Sequence, residues 1–227
     1  MKSFNIGNLP IPVPIVQGGM GIGISLSNLA SAVANMGGIG TISTVGIGLI
    51  ENFTTKSNYK KNNIDVLRKV IKKAREQTQG ILGVNVMSVL TNFSDMVKTS
   101  IEEGIDIIFS GAGLPLDLPK YLPKGVNTKL VPIVSSARAA AIISNKWKQN
   151  FEYLPDAIVV EGPKAGGHLG FKASEAQNQN ITLENLVAEV LEVTKDLKEK
   201  YKKNVPVIAA GGIFDGKDVF NIIKHGA

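Results

Sequence analysis

The sequence predicts an α/β protein, a (β/α)₈ (TIM) barrel that is truncated before its eighth strand. Short apolar segments alternate with amphipathic helical segments along the chain, the order expected for parallel strands covered by helices. The apolar segments are continuous, as in strands that are buried on both faces. Their number and regular spacing favour a barrel over the alternative, an open doubly wound sheet.

Seven apolar segments are predicted as strands: Pro14–Gln17, Ile39–Ser43, Ile81–Asn85, Asp106–Ser110, Leu130–Val134, Ala157–Glu161 and Val205–Ala210. Six segments with helical character separate or follow them: Leu26–Asn35, Asn63–Gln77, Phe93–Glu103, Ala137–Trp147, Leu183–Tyr201 and Val219–His225. A barrel needs eight strands and about 250 residues, and the 227 residues stop where the eighth strand is due. We therefore expect a single domain, 1–227, whose C-terminal part is missing.

Composition excludes several kinds of site. The chain has no cysteine, which removes disulfides, thiolate metal sites and cysteine nucleophiles, and its two histidines make a poor metal-ligand set. The formal charge of +6 lies largely on predicted outward helices without interleaved aromatics, so nucleic acid is not an expected partner. No signal peptide and no apolar run of about 18 residues is present. We expect a cytoplasmic protein that crosses no membrane.

Barrel enzymes act at the carboxyl ends of their strands, and the first and third predicted strands end in suggestive residues. Gly18, Gly19 and Met20 follow the first strand, where glycines allow the backbone to approach a flat ring; a ligand-free turn is the alternative. Their spacing is not that of a dinucleotide-binding loop. Asn85 ends the third strand, where an amide can bond a ring edge or simply cap a turn.

The most informative stretch follows the sixth predicted strand. Glu161 begins a glycine-rich loop that contains Gly166, Gly167 and His168. A histidine titrates near neutral pH, so at this edge it can take or give a proton. We therefore predict that His168 is catalytic. By contrast, His225 lies near a predicted helix C-terminus, where it favours the helix dipole.

Gly211 and Gly212 follow the seventh predicted strand, ahead of Asp215 as a candidate helix N-cap. Backbone N–H groups at such a turn can bind phosphate, although a plain glycine turn is the alternative. Together the strand ends indicate a flat, phosphate-bearing cofactor of redox or group-transfer chemistry.

The motifs PIVQGGM, GVNVM, VEGPKAGGHLGF and PVIAAGGIFDG resemble those of the nitronate monooxygenase family, also called 2-nitropropane dioxygenases. The resemblance implies a (β/α)₈ barrel that binds FMN and oxidises nitronates or nitroalkanes with O₂, giving a carbonyl compound and nitrite. It implies a small-molecule substrate, and a homodimer is expected. By position, His168 would be the catalytic base. The implied cofactor-binding residues are Gly18, Gly19, Met20, Asn85, Glu161, Gly166, Gly167, Gly211 and Gly212.

Three other functions share features with this sequence. An FMN- and NAD(P)H-dependent enoyl-acyl-carrier-protein reductase of the second type shares the barrel and the GGH motif, and it remains the main alternative. A barrel of the IMP dehydrogenase type needs a cysteine nucleophile, which this chain lacks. A flavin-binding barrel without activity is the non-enzymatic alternative.

Overall fold

Six strands of the protein follow one another in chain order across one sheet, after a short N-terminal hairpin. The computed structural model describes residues 4–50, 59–167, 170–171 and 180–227. The strands are β1 (Phe4–Ile6), β2 (Leu9–Ile11), β3 (Gly40–Ser43), β4 (Leu82–Met87), β5 (Ile107–Gly111), β6 (Lys129–Val134), β7 (Ile158–Glu161) and β8 (Val207–Ala210). The described helices are α1 (Ser27–Asn35), α2 (Tyr59–Gln77), α3 (Phe93–Glu102), α4 (Ala137–Phe151), α5 (Leu183–Tyr201) and α6 (Gly216–Lys224).

The chain divides into two compact units, which we describe separately. The first consists of the residues up to 110 together with 120–130, and the second consists of 111–119 and 131–227. Strand pairing is parallel between β3 and β4 in the first unit and between β6, β7 and β8 in the second. The predicted α/β class is therefore confirmed, with a parallel sheet of six strands.

In the first unit the strands pack against helices through apolar side chains and one close backbone contact. A side chain on Gly40 of β3 would overlap the backbone of Ala30 in α1, so only glycine permits this approach of helix to strand. Helix α2 packs between α1 and α3. It buries an apolar stripe that includes Leu67 and Ile71 and exposes its lysines, as its amphipathic pattern predicts.

In the second unit, α5 packs on β7, β8 and α4. It begins at Leu183, where the Thr182 hydroxyl accepts a hydrogen bond from the Asn185 N–H as an N-cap. Trp147 of α4 is fully buried and donates its indole N–H to the Pro115 carbonyl at 2.9 Å. This bond satisfies the polar atom of the largest core side chain.

The prediction of a strand over residues 14–17 is wrong. The structure has only an isolated parallel bridge between Val16 and Ile39. Backbone pairing with this part of the chain stops at Ile39, which bonds Ile15 and Gln17, and the side chain of Gln17 replaces the backbone at Thr41. Its Oε1 accepts from the Thr41 N–H at 3.2 Å and its Nε2 donates to the Thr41 carbonyl at 2.9 Å.

The hairpin of β1 and β2 was not predicted, although a signal for it is present. Ile6 pairs with Leu9, which leaves Gly7 and Asn8 as a two-residue loop. Gly7 has a φ of 60°, and glycine at the first position of such a loop is a recognised hairpin signal. The two strands are only three residues long, and β2 contains Pro10, which argues against a strand.

Candidate functional site

The glycine loop of the first unit is organised by one serine hydroxyl. Ser25 Oγ accepts hydrogen bonds from Gln17 Nε2 at 2.8 Å and from the Met20 N–H at 2.9 Å, and it donates to the Gly18 carbonyl at 3.0 Å. The hydroxyl is fully buried and ties residues 17–20 to one position. Sequence reasoning missed both Ser25 and the role of Gln17, because a serine five residues beyond Met20 carries no recognisable signal.

The two glycines of this loop differ in what surrounds them. A Cβ on Gly19 would lie 2.8 Å from Cγ of Asn85, so the loop backbone rests directly on the Asn85 side chain. A Cβ on Gly18 would meet no atom of the described residues within 4 Å. The structure thus brings together Gly19 and Asn85, two of the predicted cofactor-binding residues, and no described atom fills the space beside Gly18. Met20 is 43% exposed next to them.

In the second unit, the predicted residues gather where β7 and β8 end. Glu161 and Ala210 are register partners at the ends of these strands, and the Gly162 N–H donates to the Ala210 carbonyl at 2.8 Å. Gly211 and Gly212 follow with φ of 94° and 82°, values that other residues rarely adopt. A Cβ on Gly211 would lie 2.8 Å from the Ala165 nitrogen, so the two loops are in contact.

The turn after β8 leads into a well-capped helix. Asp215 Oδ1 accepts from the Lys217 and Asp218 N–H groups at 2.8 and 2.9 Å, so the predicted N-cap of α6 is confirmed. The stem of Lys164 lies over Gly212, with its Cδ 3.0 Å from where a Cβ would stand. This lysine places a cation in the loop beside the predicted phosphate-binding turn, a feature that sequence reasoning did not single out.

Among the described residues of this cluster, only Glu161 has a pKa that departs from its ordinary value. Burial raises the pKa of its carboxyl above the ordinary value of 4.5, because a desolvated carboxylate is disfavoured. No opposite charge contributes to this shift. The carboxyl group therefore holds its proton to higher pH than a surface glutamate and can donate a hydrogen bond when protonated.

The other predicted residues stand as follows. Gly166 and Gly167 follow in the same loop, and within the described part of the chain no atom lies within 4 Å of where a Cβ on either would stand. His168 lies outside the described residues. His225 is the C-cap of α6, with Nδ1 2.8 Å from the Asn221 carbonyl oxygen, in line with a structural role. Among the described residues, no three histidine or acidic side chains cluster as metal ligands would.

A family model described as nitronate monooxygenase matches residues 2–227, nearly the whole chain. The chain belongs to the nitronate monooxygenase family. This family comprises oxidoreductases, which agrees with the resemblance seen in the sequence motifs.

Two relatives of this chain have names that describe different activities. A probable nitronate monooxygenase of Staphylococcus aureus is 28% identical over 240 residues, covering 96% of this chain and 63% of the relative. A (3aS,4S,5R,7aS)-5-hydroxy-7a-methyl-1-oxo-octahydro-1H-indene-4-carboxyl-CoA dehydrogenase of Mycobacterium tuberculosis is also 28% identical, over 94% of this chain and 49% of the relative. The chain thus spans about half to two thirds of the length of these relatives.

Solved structures give the same picture. FabK from Thermotoga maritima is 32% identical with a TM-score of 0.69, covering 96% of this chain and 56% of that one. A nitroalkane oxidase from Streptomyces ansochromogenes has a TM-score of 0.72 at 22% identity, over 96% of this chain and 63% of that one; at this identity the likeness concerns the fold alone. In the described part of the chain, no helix is both long and apolar enough to cross a bilayer.

Proposed function

We propose that this chain is the FMN-binding barrel of an enzyme that oxidises nitronates or nitroalkanes with O₂ to a carbonyl compound and nitrite. The observation that carries the proposal is the family match over residues 2–227. The glycine turns at the strand ends of each unit support it. Closure of the (β/α)₈ barrel as one domain belongs to the same proposal, as do O₂ and a nitronate as the reactants.

The residues present fit a flat cofactor with a phosphate. Gly18 and Gly166 leave space that no described atom fills, as expected where a ring lies against the backbone. Gly211 and Gly212 form a turn of positive φ ahead of the N-terminus of α6, a geometry that presents N–H groups to an anion. We assign the ring to Gly18, Gly19, Met20, Asn85, Glu161, Gly166 and Gly167, and the phosphate to Gly211 and Gly212.

The side chains at this site have separate tasks in the proposed mechanism. The Asn85 amide bonds the polar edge of the ring, and Gly19 keeps that amide in place. Burial raises the pKa of the Glu161 carboxyl, which favours its protonated form. In its protonated form this carboxyl donates a hydrogen bond as a glutamine amide does.

His168 is the proposed base. Its imidazole removes the α-proton of a neutral nitroalkane, or orients a nitronate that is already an anion. FMN, when bound, supplies the electron transfer between the substrate and O₂. The apolar side chains of Met20 and Met87 are assigned to the substrate side. A cytoplasmic location and a homodimer stay predictions from the sequence.

The test is turnover by the purified protein with FMN. We expect a yellow protein that releases nitrite from a nitronate under air. In a His168→Ala variant, turnover of neutral nitroalkane should fall by about 10²–10⁴-fold, because general-base help is lost. Turnover of the preformed nitronate should fall less, since its α-proton is already gone. A His225→Ala variant is the matched control and should keep both rates.

Two results would contradict the proposal. If His168→Ala retains wild-type turnover of neutral nitroalkane, the imidazole is not the base. A protein that stays colourless after incubation with FMN is not a flavoenzyme, and the proposal then fails as a whole.

A second candidate is an FMN- and NAD(P)H-dependent enoyl-acyl-carrier-protein reductase. The Mycobacterium relative is named a dehydrogenase of a carboxyl-CoA compound, which is a thioester. It is as similar to this chain, at 28% identity, as the relative named a probable nitronate monooxygenase. The two candidates are separated by paired assays of one preparation. NAD(P)H oxidation that depends on a crotonyl thioester, without nitrite release from a nitronate, would favour the reductase.

A further inference from the structure

Two hydroxyl groups on β3 are buried without a hydrogen-bond partner among the described residues. The side-chain oxygens of Thr41 and Ser43 make no hydrogen bond there, and the residues are 1% and 3% exposed. Most buried hydroxyls in proteins are paired, and one that is not requires an explanation such as a ligand or an ordered water. Ser43 is the last residue of its strand, at the edge where the predicted cofactor residues lie.

The strand geometry sets the face to which Ser43 belongs. Gly40 faces α1, because its Cβ would overlap Ala30 of that helix. Side chains alternate along a strand, so Ser43 points to the opposite face, away from α1. Ser43 is the register partner of Asn85 on the parallel strand β4, and register partners share a face of the sheet. The Ser43 hydroxyl therefore lies beside the Asn85 amide.

The glycine loop covers the same face. Gly19 rests on the Asn85 side chain, with a hypothetical Cβ 2.8 Å from Asn85 Cγ. The unpaired hydroxyl, the amide and the loop backbone thus form one polar corner on the side of the sheet away from α1. A ligand group that enters this corner meets a hydroxyl that can both donate and accept a hydrogen bond.

A third unpaired hydroxyl provides an internal comparison. Ser110 of β5 is 0% exposed and its Oγ also has no partner among the described residues. A Cβ on Gly83, two residues before Asn85, would lie 2.6 Å from the ring of Phe109, so Phe109 occupies the face of Asn85. By alternation Ser110 points to the other face. Ser110 is thus equally buried and unpaired but lies away from the polar corner.

We propose that Ser43 is a further cofactor-binding residue, whose hydroxyl bonds a carbonyl or ring-nitrogen group on the polar edge of the flavin that Asn85 also contacts. This proposal rests on the proposed function. It concerns Ser43 alone, because Thr41 lies two residues further from the strand end, about 7 Å along the strand.

The test compares Ser43→Ala with Ser110→Ala. FMN affinity is measured by titration of flavin fluorescence, and melting temperature is measured with and without FMN. Loss of one hydrogen bond should weaken FMN binding by about 2- to 10-fold in Ser43→Ala, and FMN should raise its melting temperature less than that of the wild type. Ser110→Ala should bind FMN like the wild type. Without FMN, both variants should melt at or above the wild-type temperature, because each loses an unpaired buried hydroxyl.

Several outcomes would overturn the proposal. Equal FMN affinity of Ser43→Ala and the wild type would mean that the hydroxyl contacts only water. The Ser43 proposal would then be wrong, while FMN binding by the protein would still hold. Equal weakening in both variants would mean a packing effect. A wild-type protein that binds no FMN would sink the proposed function and this inference with it. If Ser43→Ala does not fold, Ser43→Cys, with its weaker donor, takes its place and should also bind FMN more weakly than the wild type.

Discussion

The two ends of the strands satisfy their polar groups in different ways. At the amino ends, carboxylates have partners in the protein: in the first unit Asp106 accepts from Arg75 at 2.5 Å and from the Leu82 N–H at 2.8 Å. In the second unit, Asp156 accepts from Lys203 at 3.0 Å and from the Tyr153 hydroxyl at 2.5 Å.

The carboxyl ends present the contrast. In the first unit the Ser43 hydroxyl has no partner among the residues that the structure describes. In the second, burial raises the pKa of the Glu161 carboxyl without any compensating charge. Groups that the protein completes by itself stabilise the fold, whereas groups that it leaves incomplete are available to a ligand. In barrel enzymes the carboxyl ends of the strands are the edge that carries function. The same division is visible here within each unit.

The largest effect on stability is expected at the amino end. Asp156→Ala leaves Lys203 and the Tyr153 hydroxyl without this acceptor, and we expect the free energy of unfolding to fall by about 2–4 kcal/mol. Urea unfolding measures the loss. FMN affinity, measured in parallel, should not change.

Glu152→Ala is the matched control for this prediction. Its carboxylate also pairs with a lysine, Lys148, but the side chain is 85% exposed, and surface pairs contribute little. Similar losses in the two variants, or a loss of FMN affinity in Asp156→Ala, would erase the contrast between the two ends of the strands.

A smaller effect on stability and a larger one on binding are expected at the carboxyl end. Gly19→Ala forces a Cβ against Asn85, which should cost about 1–3 kcal/mol of stability as overpacking does. Displacement of Asn85 should also weaken FMN binding by about tenfold or more, which corresponds to about 1.4 kcal/mol. Melting curves and fluorescence titration measure the two effects.

Gly18→Ala sharpens this prediction, because its Cβ meets no described atom within 4 Å. Its stability without FMN should equal that of the wild type, while its FMN affinity should fall. Unchanged FMN affinity in Gly18→Ala would show that the cofactor does not lie against this glycine.

The smallest effect is expected for Glu161→Gln. The folded protein holds the Glu161 proton above pH 4.5, where the unfolded chain has released it, because burial raises the pKa of this carboxyl. Stability attributable to this group therefore falls as pH rises through that range. The glutamine variant lacks this titration, so at neutral pH we expect it to be more stable by up to about 0.5 kcal/mol, with FMN affinity retained.

Urea unfolding at about pH 5 and about pH 8 measures this difference. If the difference in unfolding free energy between Glu161→Gln and the wild type does not increase with rising pH, burial of the Glu161 carboxylate does not destabilise the protein.

The sequence predicted elements better where the hydrophobic pattern alone determines them. Helix α5 has the predicted bounds, Leu183–Tyr201, because one apolar stripe and a Thr cap define it. The segment at 14–17 departed from prediction because its backbone pairing stops at Ile39 and the Gln17 side chain bonds Thr41 instead. Apolar composition alone does not show where a side chain replaces the backbone as a hydrogen-bond partner.

The candidate site was predictable in its glycines but not in its supports. Gly19, Gly211 and Gly212 were identified from motifs, and the structure gives each a steric or conformational reason to be glycine. Ser25 and Ser43 were missed, because their importance comes from contacts across the fold rather than from neighbours in the chain. A hydroxyl becomes informative only when its burial and its partners are known.

The bonds made by Gln17 bear on the free edge of the sheet. Strand β3 is the terminal strand of its sheet, and terminal strands offer free N–H and carbonyl groups to which another molecule can add a strand. Here Ile39 bonds the backbone of Ile15 and Gln17, and the Ser43 N–H donates to the Ser25 carbonyl. The Gln17 amide occupies both the N–H and the carbonyl of Thr41 between them. The segment that carries the glycine motif therefore already fills the edge of β3 to which a further strand would add.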